Sequence, residues 1–298
     1  MNTRYSIHIL NHDFDPDPIL DALTRQILLR EEDIRVTLWD DFSSEEFQPI
    51  LSNLQSRYTR SFISWKLERE NVGRSAMRQK ILNQPSDGWL LSIDSDMLPD
   101  DDFIDQMIVS LQNPSTVYAG RHYYQAGPPT APYLLHWNYG RKREMSARDQ
   151  DPYSHFSTGI FAIHSTLVSD LYFETGLTGY GHEDTLFGLL LRQKNIPVTR
   201  AFIKAVHLGL TQNDVFINRQ IKAVENLREV VCRYPDYSSR LIKWGRIVSK
   251  IPILKSWMTS EGFRDFCRRR MEQNPSNMIY LDLLKLREIL SGEFSRLR

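Results

Sequence analysis

Two clusters of side chains in this sequence of 298 residues have the types and spacing for phosphate and proton chemistry. The apolar run Trp89-Leu90-Leu91-Ser92-Ile93 ends abruptly in Asp94-Ser95-Asp96, with more acid at Asp100, Asp101 and Asp102. Carboxylates one residue apart at the carboxyl end of a buried strand lie where open α/β sheets bind their ligands. Such hard oxygen ligands suit a divalent cation that holds a diphosphate. A turn followed by a helix N-cap would use the same residue types. The second cluster is Gly179-Tyr180-Gly181-His182-Glu183-Asp184. Its two acids open a helical pattern, where the helix dipole favours the ionised form, and an ionised carboxylate within reach of a hydroxyl can take its proton. The ordinary preference for acids in a first turn accounts for the pair equally well.

These residues need elements to position them, and the pattern supplies alternating strands and helices. Tyr5 to Leu10 reads as a strand, and Asp17-Pro18 as an N-cap and first helical residue opening a helix to about Arg30. Ile34 to Trp39 is a second strand ending in Asp40-Asp41-Phe42-Ser43; Ser43 and Glu46 have capping-box spacing, so a helix is expected there. Ser61 to Trp65 reads as a third strand, Asn71-Val72-Gly73 as a turn, Arg74 to Leu82 as a helix, Trp89 to Ile93 as a fourth strand, and Asp101 to Leu111 as a helix. This alternation predicts a largely parallel, doubly wound α/β sheet. The stretch Arg121 to Tyr153 has little periodicity, which in a compact domain marks a functional loop. Strand character returns at Phe156 to His164 and Pro197 to Val206, the latter closing at His207, with a helix through Arg192 between them.

Composition narrows the classes. A formal net charge of zero argues against a field that gathers nucleic acid, and no nucleic-acid module is recognisable. Two cysteines cannot build a disulfide framework and suit a reducing compartment. The apolar-leaning residues of Met1 to Leu10, before Asn11-His12-Asp13, are too few for the h-region of a signal peptide, and no apolar run has transmembrane length. A cytoplasmic location is the expectation, extending to the inner membrane face for the following reason. Between Ser238 and Met271 nine Lys/Arg stand against two acids, a formal +7 (9 − 2) that the rest of the chain cancels. Arg240, Lys243, Arg246 and Lys250 recur at helical spacing, with Leu241, Trp244, Val248 and Ile251 on another face and Pro252 expected to break the helix. A basic amphipathic helix over 240–270 suits an anionic membrane surface. A helical cap with a solvated basic face is the other reading.

Four segments, in order, resemble the GT-A glycosyltransferases, in particular the inverting family 2 type and its galactosyltransferase-like relatives. Val36-Thr37-Leu38-Trp39-Asp40-Asp41-Phe42-Ser43 is similar to the strand that ends in the nucleotide-base segment. Asn71-Val72-Gly73-Arg74-Ser75-Ala76-Met77-Arg78-Gln79 is similar to the family's Asn-x-Gly-x-x-x-Ala-Arg-Asn, with Met77 and Gln79 departing from it. Asp94-Ser95-Asp96 resembles the metal-binding Asp-x-Asp, and the Glu183-Asp184 segment the one that carries the catalytic base. The resemblance spans about Arg4 to Glu229. It implies a GT-A fold: a Rossmann-like mixed sheet flanked by helices, here with a C-terminal helical extension. The domains expected are a catalytic domain over 1–232, with a nucleotide-sugar half (1–120) and an acceptor half (121–232), and a basic helical extension over 233–298.

The resemblance also implies roles. Asp184 is the expected base. Asp40, Asp41 and Arg78 are expected at the nucleotide, with arginine's planar fork suited to phosphate or to stacking on a base. Asp96 and Asp94 would hold Mn²⁺ or Mg²⁺, Asp96 directly, with His207 either a third ligand or a hydrogen-bonded structural residue. Thr158 and Gly159 would lie under the donor sugar, and Glu183 would bind the acceptor. Trp137, and behind it Tyr139 and Tyr123, are aromatic platforms for a sugar ring or core residues. The expected partners are a nucleotide-sugar, most simply a UDP-sugar, and a glycan or lipid-linked saccharide of a bacterial surface polysaccharide. A retaining transferase of polypeptide N-acetylgalactosaminyl type and a non-catalytic nucleotide-sugar-binding protein are the alternatives; the Glu183-Asp184 pair and the intact acids speak against them.

Overall fold

Strand β1 (Tyr5–Asn11) is buried almost throughout, as a central strand covered on both faces must be. The computed structural model in which it lies describes residues 4–30, 33–145, 151–176 and 181–292. The other strands are β2 (Ile34–Asp40), β3 (Ile63–Leu67), β4 (Trp89–Asp94), β5 (Met97–Pro99), β6 (Val117–Tyr123), β7 (Ile160–His164) and β8 (Val198–His207). The helices are α1 (Asp17–Ile27), α2 (Gln48–Arg57), α3 (Arg74–Leu82), α4 (Phe103–Ser110), α5 (Leu134–Tyr139), α6 (Ser165–Val168), α7 (Glu183–Gln193), α8 (Asn213–Arg233), α9 (Arg240–Val248), α10 (Pro252–Thr259), α11 (Glu261–Gln273) and α12 (Ile279–Ser291).

The eight strands form one sheet in the order β3-β2-β1-β4-β7-β6-β8-β5. Its first four strands are parallel; β7 runs antiparallel to both β4 and β6, and β5 antiparallel to β8, so the sheet is mixed, as expected of the GT-A fold. Register is what matters for the site. Leu10 of β1 faces Trp39 of β2 on one side and Asp94 of β4 on the other, so the carboxyl ends of these three strands are level. On one face of the sheet Ile7, Ile9, Val36 and Ile93 pack with Leu20 and Leu23 of α1, Leu51 of α2 and Phe103 of α4. On the other, Leu10, Trp39 and Leu90 meet Met77 and Ile81 of α3, while Phe161 and Ile163 meet Phe187 and Leu190 of α7.

The chain divides into two compact units. The first, Met1–Gln125, Ala147–Gly176 and Glu183–Gly209, contains the whole sheet. The second, Ala126–Ser146, Leu177–His182 and Leu210–Arg298, is helical, with Phe216 and Ile217 of α8, Met258, Phe263, Cys267, Leu281 and Leu284 in its core. Cys232 and Cys267 are both free. Among the described residues no helix is long and apolar enough to cross a membrane.

Several local expectations change. The capping box at Ser43 does not form: the Ser43 hydroxyl and backbone N–H both donate to Asp40, and α2 begins later, at Gln48. Asp17 is not an N-cap but already helical, with Pro16 before it. The stretch from Arg121 is not structureless: its first residues belong to β6, held by parallel pairing with β8, and α5 followed by a π-helical turn occupies Leu134 to Glu144. Pro252 starts α10 instead of only ending α9, since proline's missing N–H has no partner to lose in a first turn.

Candidate functional site

β4 delivers Asp94 to the carboxyl edge of the sheet, and two neighbours hold the turn that follows. The Asp94 N–H donates to the Gly159 carbonyl (3.0 Å) and the Ser95 N–H to the Leu10 carbonyl (2.9 Å). The chain then enters β5, where Met97 lies opposite His207 at the end of β8. The two acids of this turn meet different partners. Arg78 of α3, whose side chain is 1% exposed, donates through Nη2 to both oxygens of Asp94, at 2.8 and 3.1 Å. Burial pushes the Asp94 carboxyl up from the ordinary carboxylate range, with Arg78 opposing. Asp96 instead puts Oδ2 3.2 Å from His207 Nε2. The His207 ring lies edge-on to Tyr124, with centroids 5.1 Å apart, and 6.0 Å from His122. Leu208 N–H donates to the Asp96 carbonyl (2.8 Å). A Cβ on Gly209 would collide with the Asp96 carboxylate, so any other residue there would displace that acid.

One carboxylate and one imidazole are a donor pair suited to Mn²⁺. Among the described residues no three His, Cys, Asp or Glu side chains gather into a closed metal site. Ions of this kind bind phosphate through one or two protein ligands, with the remaining positions filled by phosphate oxygens and water. Asp96 and His207 fit such an open site, with Asp94 tied back by Arg78.

The second cluster is joined to the first. The chain enters α7 through Gly181 (φ 98°) and His182 (φ 69°), both left-handed; Gly179 and Tyr180 of the same segment lie outside the described residues. Glu183 Oε1 is 3.6 Å from Arg78 Nη1, so one buried guanidinium spans Asp94 and Glu183. Asp184 accepts the hydrogen bond of the buried Thr158 hydroxyl. Burial first, and the adjacent Glu183 second, push the Asp184 carboxyl up to about 6, against the pull of Arg78 and Thr158. A carboxylate of that basicity is ionised at neutral pH yet accepts a proton readily. Gly159, next to Thr158, has Met97 Cε 3.0 Å and Asp94 Oδ2 3.9 Å from the position of a Cβ. The 158–159 dipeptide therefore touches both acid centres.

Asp40 and Asp41 are brought to the same sheet edge, but their oxygens are engaged by the chain itself. Asp40 accepts from Asn11 Nδ2 (2.9 Å), Ser43 N–H (2.9 Å) and Ser43 Oγ (2.5 Å). Asp41 accepts from the backbone N–H groups of Val72 (2.7 Å) and Gly73 (2.9 Å), pinning the turn that precedes α3. Gly73, at φ 86°, takes a conformation that side chains rarely adopt. Trp137 belongs to the helical unit, partly buried, with the Arg141 guanidinium 4.7 Å from its ring centroid. Asn11, Tyr124, His122 and Gly209 were not singled out from the sequence. Gly209, two residues beyond a strand-end histidine, carried a legible signal; the others did not.

The model of glycosyl transferase family 2 matches residues 16–171, more than half of the chain. The chain belongs to glycosyl transferase family 2. The matched stretch of this family 2 protein contains Asp40, Asp41, Arg78, Asp94, Asp96, Thr158 and Gly159 and ends before Glu183. The fold agrees. The mannosyltransferase PcManGT from Pyrobaculum calidifontis, in complex with GDP-Man and Mn²⁺, aligns with a TM-score of 0.56 at 12% identity, over 80% of this chain and 66% of that one. GalNAc-T7 with UDP, GalNAc and Mn²⁺ aligns with a TM-score of 0.51 at 12% identity, over 70% of this chain and 44% of that one. This chain thus spans less than two thirds of the length of either. At such identity the likeness establishes the GT-A fold alone. Comparison of the sequence with curated proteins gave no match.

Proposed function

We propose that this family 2 protein is an inverting, metal-dependent glycosyltransferase that moves a hexose or N-acetylhexosamine from a UDP-sugar to a hydroxyl of a glycan or lipid-linked saccharide. Assembly of a bacterial surface polysaccharide at the cytoplasmic side of the inner membrane is the role in which such a reaction fits. The observation that carries the reading is Asp184: a carboxyl raised to about 6, oriented by Thr158, and coupled through the Arg78–Glu183 link to the Asp94-x-Asp96 turn. Mn²⁺, named with nucleotide or nucleotide-sugar in the two relatives above, would be held here by Asp96 and His207 and would neutralise charge on the departing diphosphate.

The chain's own groups do the rest. Asp184 takes the proton of the acceptor hydroxyl as its oxygen bonds to the anomeric carbon from the face opposite the diphosphate. The bond from that carbon to the phosphate oxygen breaks, and its electron pair leaves with UDP, inverting the centre. Arg78 fixes Asp94 and Glu183 together, so donor and acceptor sides keep one geometry. Asp40 and Asp41 shape the loops after β2 and before α3 that would frame the nucleotide. Incubation of the protein with UDP-sugars, Mn²⁺ and saccharide acceptors, followed by NMR of the anomeric proton, tests the reading. Transfer with inversion is expected; retention of configuration, or neither binding nor turnover of any UDP-sugar, overturns it.

A further inference from the structure

Exposed apolar side chains are not spread evenly over the molecule. Of the fifteen large hydrophobic residues exposed among the described residues, five (Trp244, Ile247, Ile251, Ile253 and Trp257) lie in the fourteen-residue stretch 244–257. The arrangement on each helix explains how they come to the surface. α9 buries Ile242, Gly245 and Val248 against its own unit, and Gly245 fits closely beside Ile289 of α12. That leaves Trp244 and Ile247 outward, at 57% and 51% exposure. α10 is anchored by Met258 and presents Ile253, at 86%, and Trp257, one helical turn apart. The cations sit among them. From Ser238 to Ser260 the sequence has Arg240, Lys243, Arg246, Lys250 and Lys255 and no acid at all.

We infer that the outer face of α9 and α10 docks on an anionic lipid surface, with Trp244, Ile247, Ile253 and Trp257 entering the headgroup–acyl boundary and Lys243, Arg246 and Lys250 at the phosphates. Charge decides the occupant. Five cations with no acid repel a second copy of the same face, as a two-fold dimer would require, whereas an anionic bilayer complements them. Lysine is depleted in protein–protein interfaces, while tryptophan and lysine together are what membrane interfaces collect. Neither helix is built to span a bilayer, so the contact is peripheral. The surface lies outside the residues placed in the sugar-transfer site, and the inference stands independently of that reading.

Co-sedimentation of the full chain with vesicles tests it. Binding is expected to vesicles of phosphatidylcholine mixed with phosphatidylglycerol, not to phosphatidylcholine alone, and to weaken as salt rises. Lys243→Glu with Arg246→Glu and Lys250→Glu should weaken binding by about fivefold or more for each cation lost. Ile253→Ser with Trp244→Ser should weaken it at unchanged charge and reduce the quenching of tryptophan fluorescence by brominated lipid, leaving the share of Trp257. Donor hydrolysis measured without vesicles reports the sugar-transfer reading separately and should be the same in all variants, and an unchanged thermal midpoint shows that they fold. Absence of sedimentation with the anionic vesicles, binding indifferent to both sets of substitutions, or a dimer in solution that Ile253→Ser dissolves would overturn the inference.

Discussion

The strands on either side of β1 both end in acids, and the two acidic pairs have opposite fates. Asp40 and Asp41, after β2, are satisfied by Asn11, by both donors of Ser43 and by the backbone N–H groups of Val72 and Gly73. Asp94 and Asp96, at the end of β4, instead meet a cation and a titratable ring: the Arg78 guanidinium and the His207 imidazole. Neutral donors from the chain around them make these carboxylates part of the frame. The buried Arg78 guanidinium ties Asp94 back, whereas the imidazole beside Asp96 is itself a metal-binding group, so Asp96 and His207 form the open pair. An acid pair at a strand end is thus defined by the donors around it.

The comparison can be broken at five points, taken from the largest effect down. Asp184, held by the hydroxyl and the backbone of Thr158, should be the most costly: Asp184→Asn is expected to lower transfer by about 10²–10⁴-fold while calorimetry gives an unchanged affinity for UDP–Mn²⁺. Wild-type turnover in that variant would remove Asp184 from its role. Asp96→Ala should reduce metal-dependent donor binding by more than the roughly 10–100-fold typical of losing an outer-shell partner, with the thermal midpoint little altered. A drop in thermal midpoint without loss of affinity would place Asp96 in the frame with Asp41.

The pH profile gives the next effect. Burial raises Asp184 to about 6, and the proposed base acts in its ionised form. Transfer should be flat above pH 6 and fall about tenfold per unit below it, measured as kcat/KM. The same raised carboxyl costs the folded state stability as pH climbs from its ordinary value near 3.8 to about 6, so Asp184→Asn should be relatively more stable than the native protein above pH 6. Asp41→Ala should show the reverse pattern. Two backbone N–H groups lose their acceptor, costing ~2 kcal/mol in denaturant unfolding. Any effect on transfer should follow from that loss. The smallest effect is expected for Thr158→Val: its hydroxyl favours the ionised Asp184, so removing it should move the midpoint of the pH profile upward. A downward move would contradict the assigned hydrogen bond.

Much of the frame was legible beforehand. The buried run before Asp94, the helix from Arg74 to Leu82 and the helix opening at Glu183 agree with their patterns because periodicity and first-turn preferences reside in neighbouring residues. Ser43 misled because its hydroxyl had a nearer acceptor in Asp40 than any helix terminus offered. β5 is three residues long and β6 carries Arg121, His122 and Tyr123, so neither has a strand signature; pairing with β8 makes both. The link from Asp94 through Arg78 to Glu183 joins three separate elements and leaves no trace in local spacing.

Which residues are acids at strand ends, which glycines take left-handed turns and where helices begin were determined by the sequence, through side-chain periodicity and backbone preference acting over a few residues. Which acid is capped, which is gripped by arginine and which is raised toward neutrality was decided only by the tertiary structure. Those outcomes depend on donors, charges and burial supplied by segments far away in the chain, and an electrostatic environment exists only once they have come together.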